Sequence, residues 1–89
     1  MSLKEQISED MKAAMRAKES ERLATIRLLM AAIKQREVDD QITLDDAGIT
    51  AVIDKMIKQR KDSISQFQAA SRDDLVAKEQ AELVVLSGY

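Results

Sequence analysis

The stretch Val52-Ile53-Asp54-Lys55-Met56-Ile57-Lys58-Gln59-Arg60-Lys61-Asp62-Ser63-Ile64-Ser65-Gln66-Phe67 decides the fold. Its apolar residues recur at intervals of three and four, which places them on one side of an α-helix. Arg60 falls in the centre of this apolar stripe, whereas Lys55, Lys58 and Lys61 lie off it. The pattern predicts a long amphipathic helix that turns one cation towards the core and three towards solvent.

The composition of the chain is that of a small helical domain. The 89 residues include no Pro and only two Gly, and helix-forming residues dominate. Cys and His are both absent, which excludes disulfides, thiolate catalysis and histidine-based metal or acid–base sites. The N-terminal region carries charges every few residues, so we expect neither an export signal nor a membrane span. These features together predict a cytoplasmic protein.

The periodicity outside the opening stretch predicts three further helices. The four predicted helices cover about residues 2–17, 21–37, 44–70 and 72–87, with loops between them. Ser20, Thr43 and Ser71 are the candidate N-caps of the last three helices. The second helix is apolar on two faces, which is typical of a central position. We therefore predict an all-α fold, one domain with its four helices arranged as two helical hairpins.

An ion pair between the third and fourth helices is the first candidate constellation. Arg60 precedes the connection at residues 70–72 by about ten residues, and Glu79 and Glu82 follow it by about eight and eleven. In an antiparallel hairpin these side chains meet, and a buried guanidinium needs a carboxylate partner. The pair either fixes the register of the two helices or holds Arg60 ready for an anionic ligand.

A set of exposed cations is the second candidate, as phosphate contacts for a nucleic acid. The residues predicted for this role are Arg27, Lys34, Lys55, Lys58 and Lys61. The net charge of −2 and the near absence of aromatic residues give no global signature of a nucleic-acid binder. A solvated helix face remains the alternative interpretation.

Catalytic signatures are absent from the sequence. There is no phosphate-binding glycine loop, and the aspartates between the second and third helices lack the spacing of a calcium loop. Glu79 and Glu82 could serve as acid and base, but nothing specifies a substrate pocket beside them. We expect no catalytic residues, no metal, no cofactor and no autonomous enzymatic activity.

Two runs of the sequence resemble the YqeY family. The first includes Asp10-Met11-Lys12, Ala14-Met15, Arg22-Leu23, Ile26-Arg27 and Ala32-Ile33-Lys34. The second includes Lys58-Gln59-Arg60-Lys61-Asp62-Ser63-Ile64, Gln66-Phe67, Arg72-Asp73-Asp74-Leu75-Val76, Lys78-Glu79 and Ala81-Glu82-Leu83. The resemblance covers essentially all 89 residues.

This resemblance implies a noncatalytic module associated with tRNA. Members of this GatB/YqeY-like family are similar to the tail of the B subunit of glutamyl-tRNA(Gln) amidotransferase, and similar modules are joined to some glutaminyl-tRNA synthetases. The implied partner is tRNA or a tRNA-dependent enzyme. In the family a second helical domain follows the tyrosine matched here by Tyr89, so we expect these residues to correspond to the N-terminal domain alone.

Two other functions remain open. The first is a protein-interaction module that docks through the apolar face of the fourth helix. Val84 and Val85 lie on this face, and self-association through them is a further expectation. The second is a carbon–nitrogen ligase that uses glutamine as amido-N-donor, which the inventory of residues disfavours.

Overall fold

Four α-helices make up the fold in the computed structural model, which describes residues 2–89. They are α1 (Leu3–Arg16), α2 (Ser20–Asp40), α3 (Asp46–Ala69) and α4 (Asp73–Ser87). No β-strand occurs among these residues. The predicted all-α bundle is therefore confirmed, with α1 packed against α2 and α3 packed against α4 as two hairpins.

The second helix is longer than its predicted range of 21–37 and ends at Asp40. Side-chain bonds one turn apart support the added turn, from Gln35 to Asp39 and from Arg36 to Asp40. Gln41 then adopts a left-handed conformation (φ 53°) and its N–H bonds to carbonyls of the last turn, which is a common way for a helix to end. The prediction of a loop from residue 38 was therefore wrong.

The predicted N-caps were also wrong for the last three helices. Asp45 rather than Thr43 caps α3, because its carboxylate accepts a 2.8 Å hydrogen bond from the Gly48 N–H. Glu19 and Arg72 occupy the cap positions of α2 and α4 without a side-chain cap bond. Tight turns precede α2 and α4, because Lys18 and Ser71 adopt positive φ values of 57° and 56°. These turns determine the residues at which the two helices begin.

The core forms around α2, which contacts all three other helices. Its buried apolar residues Ile26, Leu29 and Ile33 face residues from the other helices. Those residues are Ile7 and Ala14 of α1, Ile49, Val52, Ile53 and Met56 of α3, and Leu86 of α4. The two apolar faces of α2 thus account for its central position.

The bundle is thin and open. Its Cα positions span 40 × 32 × 18 Å, and the shortest dimension fits two helix layers with axes about 8–10 Å apart. The radius of gyration of 13.8 Å exceeds the roughly 12 Å typical of a compact domain of this length. Grooves consequently remain between α2 and each of its neighbours.

Candidate functional site

Three lysines lie on the exposed face of α3. Lys55, Lys58 and Lys61 are all exposed, because each is rotated away from the side of the helix that buries Ile53 and Met56. None of the three takes part in an ion pair among residues 2–89. Lys58 stays unpaired although Asp54 stands one turn before it. This basic face of α3, defined by the three lysines, is free to meet an external anion.

The two predicted cations of α2 lie elsewhere. Lys34 lines the groove between α1 and α2, and Nη2 of Arg27 contacts Sδ of Met15 in α1 at 3.9 Å. Lys55 lines the groove between α2 and α3, on a different side of α2. The five predicted phosphate contacts therefore do not share one groove, since only the three lysines of α3 form a continuous face.

Arg36 is a cation beside this face that is not among the predicted phosphate contacts. It lines the same groove as Lys55, together with Gln59, and pairs with Asp40 of its own helix. The sequence offers a weak signal for it, because Arg36 stands four residues before Asp40. The predicted end of α2 at residue 37 leaves Asp40 outside the helix, so this pair does not follow from the predicted bounds.

The structure brings Arg60, Glu79 and Glu82 together in one cluster. Nε of Arg60 lies 3.7 Å from Oε2 of Glu82 and 4.0 Å from Oε2 of Glu79. The side chains are only 16%, 22% and 12% exposed, respectively. Both distances are too long for hydrogen bonds, and the buried Nε has no hydrogen-bond partner. The cluster is held by charge attraction without hydrogen bonds from Nε.

The electrostatics of this cluster are unbalanced, because two carboxylates face one guanidinium. Burial and the neighbouring charge of Glu79 raise the pKa of Glu82 above its usual value, and the opposing attraction of Arg60 does not cancel them. The cluster therefore offers two carboxyl groups to a single guanidinium. The two carboxyl groups beside Arg60 disfavour an anionic ligand there, and the helix-register role of Arg60 stays a prediction.

A cleft of about 610 Å³ opens between α2 and α4 beside this cluster. Glu82 lines it, and small residues form much of its walls. They are Ala24 and Thr25 of α2 and Ala77, Ala81 and Val85 of α4. The hydroxyl of Thr25 donates to the Glu21 carbonyl within α2, so it offers no free donor to a ligand.

The groups with shifted pKa values do not converge on one pocket. Glu37 lies at the end of α2, Asp74 at the start of α4 and Glu82 in the cluster with Arg60, while Tyr89 contacts α1. A catalytic site usually gathers such groups around a substrate. Within residues 2–89 there is also no group of three or more acidic side chains placed to hold a metal ion.

The fold and these features define a class: a small all-α module that presents a basic helix face and an apolar cleft. No helix in the described range is long and apolar enough to cross a membrane. The chain belongs to the Yqey-like protein family, whose sequence model matches residues 4–89. The predicted family membership is confirmed over essentially the whole chain.

Several relatives carry the name "Altered inheritance of mitochondria protein 41, mitochondrial". The protein of Lachancea thermotolerans is 40% identical over 84 residues, which are 93% of this chain and 45% of the relative. The protein of Kluyveromyces lactis is 42% identical over 84 residues, with the same coverage of 93% and 45%. That of Saccharomyces cerevisiae strain YJM789 is 42% identical over 81 residues, covering 90% and 44%. The chain thus spans less than half the length of these relatives.

The cytoplasmic location predicted from the sequence is contradicted by these relatives, which are named as mitochondrial proteins. The prediction was based on the absence of Cys and of an apolar export signal. Neither feature separates the cytoplasm from other reducing compartments. The names of the relatives therefore overturn the prediction of a cytoplasmic protein.

Proposed function

We propose that this chain is a noncatalytic accessory module that associates with tRNA through the basic face of α3. One observation carries the proposal: Lys55, Lys58 and Lys61 are exposed, adjacent and unpaired within the described part of the chain. The resemblance to the tail of a tRNA-dependent amidotransferase subunit supports tRNA as the nucleic acid. The names of the relatives favour a mitochondrial setting.

The spacing of the three lysines suits a phosphate backbone. Six residues of α-helix rise about 9 Å, so three long, flexible ammonium groups are presented along a short segment. Arg36 and Gln59 border the same face in the groove that Lys55 lines. Each ammonium that neutralises a phosphate releases condensed counterions, which gives affinity that falls steeply with salt.

Base-specific recognition is not part of this proposal. Reading of single-stranded RNA relies on exposed aromatic side chains that stack on bases. The two aromatic residues, Phe67 and Tyr89, are both partly buried, and the Tyr89 hydroxyl is bonded to Asp10. The module therefore recognises the backbone and shape of tRNA, and any choice among tRNAs falls to a partner enzyme.

Binding of fluorescently labelled tRNA at several salt concentrations tests the proposal. The triple variant Lys55→Gln, Lys58→Gln, Lys61→Gln should weaken binding and reduce the slope of log affinity against log salt by about 2. The matched control is the triple variant Lys12→Gln, Arg16→Gln, Lys18→Gln, which changes the net charge equally on α1 and in the turn that follows it. The double variant Arg27→Gln, Lys34→Gln measures the separate contribution of the predicted α2 cations.

Two results would overturn the proposal. One is the absence of tRNA binding even at low salt. The other is an equal loss of affinity in the two triple variants, because net charge rather than the face of α3 would then account for binding.

A further inference from the structure

We propose that the cleft between α2 and α4 is a docking site for an amphipathic helix of a partner protein. The helix would place a Lys or Arg side chain against Glu82, which lines the cleft and has the charge of Glu79 beside it. This inference does not depend on tRNA binding, since the cleft lies away from the exposed face of α3.

The shape of the cleft suits a helix. Half of its lining residues are small, among them Ala24 on α2 and Ala77 and Ala81 on α4. Small residues allow a third helix to approach closely and pack its ridge between the two helices. Val84, which is 73% exposed, extends the apolar surface of α4 along the chain. An exposed apolar surface of this kind marks an interaction site when it is large and rimmed by polar residues.

The charge around the cleft selects a basic partner. Glu79 and Glu82 share a single guanidinium, and neither accepts a hydrogen bond from a nitrogen donor among residues 2–89. The lining of the cleft carries three acids, Glu21, Asp74 and Glu82, against two cations, Arg22 and Lys78. Arg22 pairs with Glu19 and Asp74 with Arg72, whereas Lys78 has no ion pair among residues 2–89. A second copy of this chain would bring the same excess of acids, so self-docking is disfavoured.

An incoming ammonium or guanidinium would complete the cluster. It would give the carboxylates the charge-assisted hydrogen bonds that they lack. Burial and then the charge of Glu79 raise the pKa of Glu82, and an incoming cation would offset the second of these causes. Covering the cleft excludes water, so a basic side chain that pairs there contributes strongly to specificity.

The experiment uses a synthetic 18-residue amphipathic helix with a Leu/Ala stripe and one Lys at its centre. The matched peptide has Gln in place of Lys. Binding is followed by amide chemical shifts of the full, isotopically labelled chain. We expect the Lys peptide to bind about tenfold more tightly than the Gln peptide, with the largest shifts along the walls of the cleft.

Variants of the chain locate the effect. Glu82→Gln should remove most of the preference for the Lys peptide while retaining the fold, which circular dichroism checks, and Glu79→Gln serves as the second such variant. Ala81→Gln should block both peptides, because it fills an exposed wall of the cleft. Ala13→Gln makes the same change at an exposed site on α1 and should leave binding unchanged.

Three results would overturn this inference. The first is equal affinity for the Lys and Gln peptides. The second is a set of shifts that maps outside α2 and α4. The third is concentration-dependent self-association whose shifts map to the cleft in the absence of peptide, because a second copy would then be its occupant.

Discussion

The hydroxyl of Tyr89 donates a 2.7 Å hydrogen bond to Oδ2 of Asp10, joining the end of α4 to α1 across 79 positions of the chain. The ring of Tyr89 also packs against the core. This side chain therefore acts both as an apolar contact and as a polar clamp between the two hairpins.

Replacing Tyr89 by Phe should lower the free energy of unfolding by about 1 kcal/mol. The substitution keeps the ring but removes the donor, and a single hydrogen bond typically contributes this amount. Urea unfolding at pH 7 measures the change. The outcome that contradicts the clamp is an unchanged midpoint in Tyr89→Phe.

The same clamp should weaken at alkaline pH. Burial, followed by the hydrogen bond to Asp10 and its charge, raises the pKa of the Tyr89 phenol above its usual value of 10. A raised pKa means that the stabilisation is complete below pH 10 and is lost as the pH rises from there through the folded-state pKa. The stability difference between the wild type and Tyr89→Phe should therefore shrink above pH 10. A constant difference from pH 8 to 12 would contradict this expectation.

A second clamp holds the connection between α2 and α3. Oε2 of Glu37 accepts hydrogen bonds from Nζ of Lys4 at 2.7 Å and from the Leu44 N–H at 2.8 Å. Glu37→Ala should therefore speed hydrogen exchange of the Leu44 amide, which loses its acceptor. Lys4→Gln is the control, because it removes only the contact to α1. Unchanged exchange in Glu37→Ala would show that the clamp does not order the loop.

Acid should open this loop before the rest of the fold. The hydrogen bonds from Lys4 and then Leu44 lower the pKa of Glu37 below its usual value of 4.5. Stabilisation from a lowered carboxyl pKa is present above pH 4.5 and is lost as the pH falls through the folded-state pKa. We expect the chemical shift of the Leu44 amide to titrate below pH 4.5 in the wild type. The same signal should stay flat over that range in Glu37→Ala.

The sequence predicts contacts within a hairpin better than contacts between hairpins. Counting from the turn at residues 70–72 places Arg60 level with Glu79 and Glu82, because both helices have the same rise per residue. Counting residues from a turn does not show on which side of α2 each of the other helices packs. That is why Lys34 and Lys55, predicted as one set of contacts, line different grooves.

Helix ends were the least predictable local features, for a related reason. Asp45 competes with Thr43 as the cap of α3, and both are good N-cap residues. The hydrogen bond that the Leu44 N–H donates to Glu37 spans seven residues, so it depends on how α2 and the loop fold together. The end of α2 was also hard to predict, because Gln41 adopts the left-handed conformation there. Glycine is the usual residue at such a position and would have indicated the end of the helix.

The pH dependence of Glu82 has the opposite sign to that of Glu37. Burial and then the charge of Glu79 raise the pKa of Glu82 above 4.5, so its ionised form destabilises the fold at neutral pH. Lowering the pH through the folded-state pKa relieves this cost, and the relief is complete below pH 4.5. Glu82→Gln should therefore be more stable than the wild type at pH 7 and lose this advantage by pH 4.5. A variant that is less stable than the wild type at pH 7 would contradict this sign.

Removing Arg60 should expose the imbalance of its cluster most directly. Arg60→Met keeps the apolar stem of the side chain but leaves Glu79 and Glu82 facing one another without a cation. Breaking a buried pair costs about 3–5 kcal/mol, and the residual exposure of this cluster reduces the expected loss to about 2–3 kcal/mol. The double variant Arg60→Met, Glu82→Gln should recover about 1 kcal/mol or more of that loss, since only one carboxylate then lacks a partner.

Urea unfolding of the wild type, both single variants and the double variant completes the double-mutant cycle. Additive effects within about 0.3 kcal/mol would mean that Arg60 and Glu82 do not interact, and the cluster would then not fix the register of α3 and α4.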